Sequence, residues 1–240
     1  MLFAIMKPEV KAVGIVINAL VIAIFGLLGN RLRNLMSAEK FRMLGICIVI
    51  VSLVGFFENV YTLKDEKLVS ENLILLLFAF MVGNELGERL HIKQRLSNIG
   101  KSDNAARNAV IDSFLFFGIG GLQICGPIAM VTQGDNSQLL LKSMIDIPFA
   151  IMFGATYGPW AASAAVPVAL TQVGIGLLAW LMNGYFTEQV VKDLCSLGFI
   201  ILFFFGFNLL TDRKNKVDNV NMLPSVFIVL IYYGIRRMLA

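Results

Sequence analysis

With one histidine and three cysteines in 240 residues, the chain is poorly supplied for metal or disulfide chemistry. His91 lies in a polar, basic stretch with no carboxylate or cysteine cluster beside it, so it reads as a surface-loop residue. Cys47, Cys125 and Cys195 form no CxxC pair and sit in or beside apolar runs, where free cysteine behaves as a small hydrophobe. Charge is scarce too. Charged residues make up 15% of the chain against 58% hydrophobic, and mean hydropathy is +0.77. That balance excludes a soluble globular domain and points to one integral membrane domain over 1–240. The net charge of +4 comes from Lys and Arg gathered between apolar runs, with no basic patch interleaved with aromatics, so nucleic acid is not an expected partner. Nothing in the composition calls for a cofactor.

The largest gap in charge runs from Ile147 to Thr187, 41 residues without one charged side chain. This is about twice the ~20 residues that cross a bilayer, so the run must turn back. Gly158-Pro159 is the natural turn, and Gly126-Pro127 offers a similar break in the preceding segment. The N-terminal run resembles a signal peptide, with Lys7 and Lys11 ahead of it. Arg31 and Arg33 close it without a clean small-x-small cleavage site, which makes it a first span.

The pattern predicts an all-α, polytopic membrane helix bundle of about eight transmembrane helices: 12–30, 43–61, 72–88, 109–131, 139–158, 161–182, 194–210 and 220–235. Loops on one side of this arrangement hold 12 Lys and Arg and the other side 8, which places both termini on the non-cytoplasmic side. Identities recur at an offset of 153 residues, among them Asn30/Asn183, Gly45/Gly198 and Ile48/Ile201. If spans 1–3 (12–88) repeat as spans 6–8 (161–240), the copies run in opposite directions. The fold is then an inverted repeat of three helices flanking a central pair of interrupted helices (109–158), a plan shared with secondary transporters.

Polar residues inside such spans are the candidate ligands. Asn18 shares a face with Gly14 and Ile22 at i, i+4 spacing and looks into the bundle, either as a ligand or simply as a partner for a neighbouring helix. Lys142 and Asp146 sit one turn apart on the fifth span with Ser143 between them, and Gln172 lies on the sixth. Lys142 and Asp146 have a bland alternative, an interfacial pair that pins the helix. Ala150, Gly154 and Gly158 form a small-residue stripe that lets helix backbones approach.

A series of short motifs carries a resemblance over almost the whole chain: Ile17–Leu20 with Gly26–Gly29; Gly83, Gly87 and Glu88; Gly134-Asp135; Lys142, Ser143 and Asp146; Pro167 with Gln172; Gly198; and Asn221–Pro224. In this order they resemble the YqgA/YdfK family of bacterial inner-membrane proteins, a family grouped as a domain of unknown function. The resemblance implies a multi-pass protein of the bacterial inner membrane, adds Asp135 to the candidate ligands, and carries a loose link to biofilm behaviour. Departures are Phe199, where the family commonly pairs a second glycine with Gly198, and Asp112 and Glu85, which match no family position.

The leading functional expectation is a small secondary transporter or ion-conducting protein, not an enzyme. Its substrate-binding residues would be Asp146, Lys142, Ser143, Asp135, Asn18 and Gln172. Expected partners are an ion or small polar solute and the lipid bilayer, with self-association into a homo-oligomer a further reading. The alternative is a non-transporting membrane scaffold or sensor affecting biofilm behaviour. An intramembrane aspartyl enzyme built on Asp112 and Asp146 is a third; it needs the two carboxylates within hydrogen-bonding range.

Overall fold

Long apolar segments in this chain form helices because only a helix or a closed barrel satisfies every backbone group in lipid. The computed structural model describes residues 12–64, 67–70, 72–98, 104–118, 120–182, 184–211 and 216–239. Lys7, Lys11 and Asn183, used in the sequence readings above, lie outside the described residues. In chain order the elements are α1 (Val13–Leu32), α2 (Ala38–Val60), a hairpin of β1 (Tyr61–Lys64) and β2 (Lys67–Ser70), α3 (Leu73–Arg89) and α4 (Ile92–Asn98). There follow α5 (Ala105–Gly118), α6 (Gly121–Gln133), α7 (Ser137–Tyr157), α8 (Ala165–Leu181), α9 (Glu188–Leu210) and α10 (Pro224–Leu239). The hairpin is antiparallel, with Tyr61 opposite Ser70.

Among the described residues five helical stretches are long and apolar enough to cross a membrane, or six if the bent pair α5–α6 is one span. The sequence pattern reads eight because it divides the Ser137–Leu181 stretch, which length and composition count once, and because it includes α3, which has 17 residues. The helices carry apolar side chains on the outside, such as Ile74, Leu77, Phe78 and Met81 on α3 and Val166, Leu170 and Leu178 on α8. Polar side chains, among them Asn18, Gln123, Lys142, Asp146 and Gln172, are buried. This inverts the soluble pattern and suits lipid.

The chain divides into two compact units, each discontinuous in sequence: Met1–Phe41 with Arg95–Asn183, and Arg42–Gln94 with Gly184–Ala240. In the first unit, α1 buries Gly14, Asn18, Ile22, Gly26 and Gly29 along one face, at a helix period. That face lies along α7, the two helices running parallel: Gly14 meets Leu139 at one end and Gly29 meets Gly154 at the other. The approach is backbone to backbone. A Cβ on Gly154 would stand 2.1 Å from the Gly26 carbonyl oxygen.

Gly134, at φ +74°, ends α6 in the left-handed region with its N–H on the Ala129 and Met130 carbonyls, a glycine C-cap. Asp135 then accepts from the Ser137 backbone N–H and hydroxyl, both at 2.8 Å, and so starts α7. At the other end of α7, Gly158 takes φ +70°, which glycine tolerates, and leads into a 3-10 turn over Gly158–Ala164. The chain reverses there, as expected from Gly158-Pro159. α8 returns antiparallel to α1, since Gly26 faces Ala162 while Asn18 bonds Gln172.

The expected break at Gly126-Pro127 is not where the chain bends. Pro127 lies inside α6, and the 62° bend falls between Gly118 and Gly121. α6 stays continuous through Pro127, while three glycines within four residues, at 118, 120 and 121, each cost about 1 kcal/mol of helix propensity, and the bend falls among them. Phe116 and Phe117 of α5 pack on Phe149 and Phe153 of α7, with centroids 4.9–5.6 Å apart.

In the second unit α2 and α9 are antiparallel: Gly45 meets Gly206 and Gly55 meets Phe199. α3 and α10 are antiparallel as well, with Gly83 against Ser225 and Gly87 against Asn221. Thr187 caps α9, its hydroxyl accepting from the Val190 N–H at 3.4 Å.

Candidate functional site

Five buried polar side chains from four helices meet inside the first unit. Lys142 and Asp146 sit on α7 at i, i+4 spacing, and Lys142 Nζ donates to Asp146 Oδ2 at 2.5 Å. Their side chains are each only 8% exposed, so the pair is buried among the helices. Asn18 of α1 donates from Nδ2 to the same carboxylate oxygen at 2.8 Å. Gln172 of α8 donates from Nε2 to Asn18 Oδ1 at 2.9 Å and to Gln123 Oε1 at 2.8 Å. Gln123 of α6 completes the row by donating to the Val168 carbonyl at 3.3 Å and to Thr171 Oγ1 at 3.4 Å.

One charge orients this row. A carboxylate only accepts, so Asn18 must turn its amide nitrogen to Asp146. Its oxygen then faces Gln172, which must offer nitrogen, and the same logic sets Gln123. Both donor contacts of Gln172 are thereby used, and its Oε1 is left buried without a partner. Such an atom is costly in a low dielectric. Two prolines free backbone acceptors on these helices. Pro127 and Pro148 lie inside α6 and α7, and lacking N–H they deprive the carbonyls of Gln123 and Met144 of their i+4 donors.

Of the residues singled out from the sequence, Asp146, Lys142, Asn18 and Gln172 come together here. Ser143 is buried beside them, but its hydroxyl is spent on the Leu139 carbonyl at 2.7 Å. Asp135 stands apart, engaged with Ser137 at the start of α7. Asp112 is exposed and accepts from Tyr157 Oη at 3.2 Å, sharing no partner with Asp146, so the two acids do not form a dyad.

Gln123 and Thr171 were not singled out as ligands, although a glutamine among glycines in an apolar helix is itself an intramembrane polar signal. A second buried acid was missed altogether. Asp193 of α9 is 1% exposed and accepts from Asn72 Nδ2 at 2.9 Å, Tyr233 Oη at 2.7 Å and Gln189 Nε2 at 3.1 Å, all within the second unit. Between α8 and α9, Tyr185 donates its hydroxyl to the Leu230 carbonyl, and burial raises its pKa above the ordinary tyrosine value. Among the described residues no three His, Cys, Asp or Glu side chains converge to hold a metal ion.

Apolar helices facing outward around a buried ion pair and its carboxamides define a multi-pass helical membrane protein. The chain belongs to the DUF554 family of proteins of unknown function, whose model matches residues 13–234. It is similar to the uncharacterized membrane protein YdfK of Bacillus subtilis (strain 168), 27% identical over 157 residues, or 65% of this chain and 68% of that one. It is also similar to the uncharacterized protein YqgA of Escherichia coli (strain K12), 23% identical over 172 residues, or 66% of this chain and 72% of that one. No solved structure matches the chain.

Proposed function

We propose that the protein is a small secondary transporter, or an ion-conducting protein, moving an ion or small polar solute through a site centred on Asp146. The observation that carries this reading is the buried Lys142–Asp146 pair, bonded through Asn18 to Gln172 and Gln123 inside an apolar-faced bundle. Ionisable groups at membrane depth are rare and mark substrate or proton pathways. Stability alone gives little reason to keep them, because apolar residues of similar volume usually serve a buried pair's position as well or better.

The bent α5–α6 pair beside Gln123 and the carbonyls freed by Pro127 and Pro148 supply the interrupted helices that transporters use at their sites. The antiparallel pairings α1 with α8, α2 with α9 and α3 with α10 support an inverted repeat of three helices. In this reading the chain crosses the bacterial inner membrane eight times with both termini on the non-cytoplasmic side. Single cysteines at Asn98 and Ser137 will then react with an impermeant reagent from opposite faces of intact cells; equal labelling of the two would discard the eight-span arrangement.

Function is tested by uptake into proteoliposomes, screening monovalent cations, small carboxylates and small neutral or dipolar solutes. A solute carried by the native chain is expected to be excluded by the neutral double variant Lys142→Met/Asp146→Asn, with the inserted protein still folded. Uptake unchanged in that variant would remove Asp146 from the pathway.

A further inference from the structure

The unspent hydrogen-bonding capacity around Asp146 has both signs. Lys142 Nζ carries three N–H donors and engages one acceptor, Asp146 Oδ2. That oxygen also takes Asn18, which leaves Asp146 Oδ1 as a free acceptor. Gln172 Oε1 is a second acceptor, unpartnered on a side chain that is 0% exposed. On α6 the Gln123 carbonyl lacks its i+4 donor because of Pro127. The site therefore offers ammonium donors and carboxylate and amide acceptors side by side, at a summed formal charge of zero.

Each simple ligand meets only half of this. A bare alkali cation approaching Asp146 also approaches the Lys142 ammonium, held 2.5 Å from the same carboxylate, and the two fields largely cancel. A lone carboxylate has the mirror difficulty with Asp146. A solute bearing both charges, laid against the pair in the opposite sense, is attracted at both ends, and its ammonium has N–H groups to spare for Gln172 Oε1. We infer that the transported solute is a small dipolar ion with an ammonium and a carboxylate on one short carbon frame, as in an amino acid; the inference rests on the transport reading above. With every one of these side chains buried, a solute reaches the pair only when the helices part, as alternating access requires.

The test is thermal unfolding of the purified full chain with glycine, L-alanine and 4-aminobutyrate as dipolar probes. Ethylammonium chloride and sodium acetate represent the two halves, and sodium and potassium chloride the bare salts. A dipolar probe is expected to raise Tm by roughly 5–10 °C at a hundredfold excess over its Kd, with no comparable rise from the halves or the salts. Gln172→Met should weaken that binding about tenfold, the scale of one lost hydrogen bond to a charged group. If that variant misfolds, Lys142→Met/Asp146→Asn carries the test, because it keeps an acceptor for Asn18 and should abolish the response. Equal stabilisation by sodium or potassium chloride, a response retained in the double variant, or no response to any dipolar probe would each overturn the assignment. A dipolar ion that binds but is not taken up by proteoliposomes defeats transport and leaves only a dipolar-ion binding site at Asp146. Uptake of a cation or a simple carboxylate, without dipolar-ion binding, does the reverse.

Discussion

Removing one member of the Lys142–Asp146 pair will destabilise the protein more than removing both. Asp146→Asn leaves the Lys142 ammonium buried without its counter-charge, and Lys142→Met does the same to the Asp146 carboxylate. Stranding one buried charge costs about 3–5 kcal/mol, equivalent to a fall in Tm of roughly 6–20 °C for a chain of this size. Lys142→Met/Asp146→Asn carries no charge at either position, and the new asparagine oxygen still accepts from Asn18 Nδ2, whose present bond to Asp146 is 2.8 Å. The double variant should therefore be more stable than either single one by about 2 kcal/mol, so that its loss falls well short of the sum of the two single losses. Thermal denaturation of the four proteins in one detergent closes the cycle. Losses that simply add would mean that the two side chains are not paired in the folded protein.

The second large effect concerns Gly154. A side chain there is driven into the α1 backbone: the first added carbon stands 2.1 Å from Gly26 O, and one on Gly29 stands 2.5 Å from the Gly154 carbonyl carbon. A flexible side chain gives way to such a contact, but a backbone gives way only if the helices part. Gly154→Leu should lie at or beyond the upper end of the ~1–3 kcal/mol usual for overpacking. It should also lower solute binding, because separating α1 from α7 draws Asn18 away from Asp146. Gly174→Ala is the control. Nothing lies within 4 Å of a Cβ at Gly174, so alanine is expected to be neutral or to stabilise α8 by up to about 1 kcal/mol. Similar Tm values for the two variants would be incompatible with a backbone contact at Gly154.

Much of the site was legible because membrane helices make polar residues conspicuous. Asn18 could be aimed into the bundle from its spacing with Gly14 and Ile22, and those three residues share the buried face of α1. The reversal at Gly158 followed from the length of an uncharged run, an argument about reach that needs no detail of packing. The Gly154 stripe was visible, but its partner was not: which glycines of another helix face it depends on tertiary pairing, and Gly26 and Gly29 lie more than a hundred residues earlier.

Other features were hidden for physical reasons. Pro127 looked like a break because proline is a strong local signal, yet a helix absorbs the loss of one bond and bent instead where Gly118, Gly120 and Gly121 crowd together. Asp193 falls one residue outside the seventh span as read from the sequence, 194–210. Its burial is sustained by Asn72 and Tyr233 on two other helices, a convergence that no one-dimensional pattern reports. Asp135 shows the converse. Motif position made it a candidate ligand, and its hydrogen bonds make it a helix-starting residue.

Because both units are discontinuous, the order of synthesis bears on how the molecule is assembled. Asn18 enters the membrane early, yet its partners Asp146 and Gln172 are 128 and 154 residues further along. At the usual pace of translation that interval is on the order of ten seconds. Through it, α1 waits in lipid with a carboxamide in its apolar length and a groove of glycines facing no mate. The helices of the second unit wait likewise, α2 and α3 for α9 and α10. A nascent helix in that condition is a natural client for an insertase or chaperone that shelters polar side chains, and the first unit closes only when α8 has emerged.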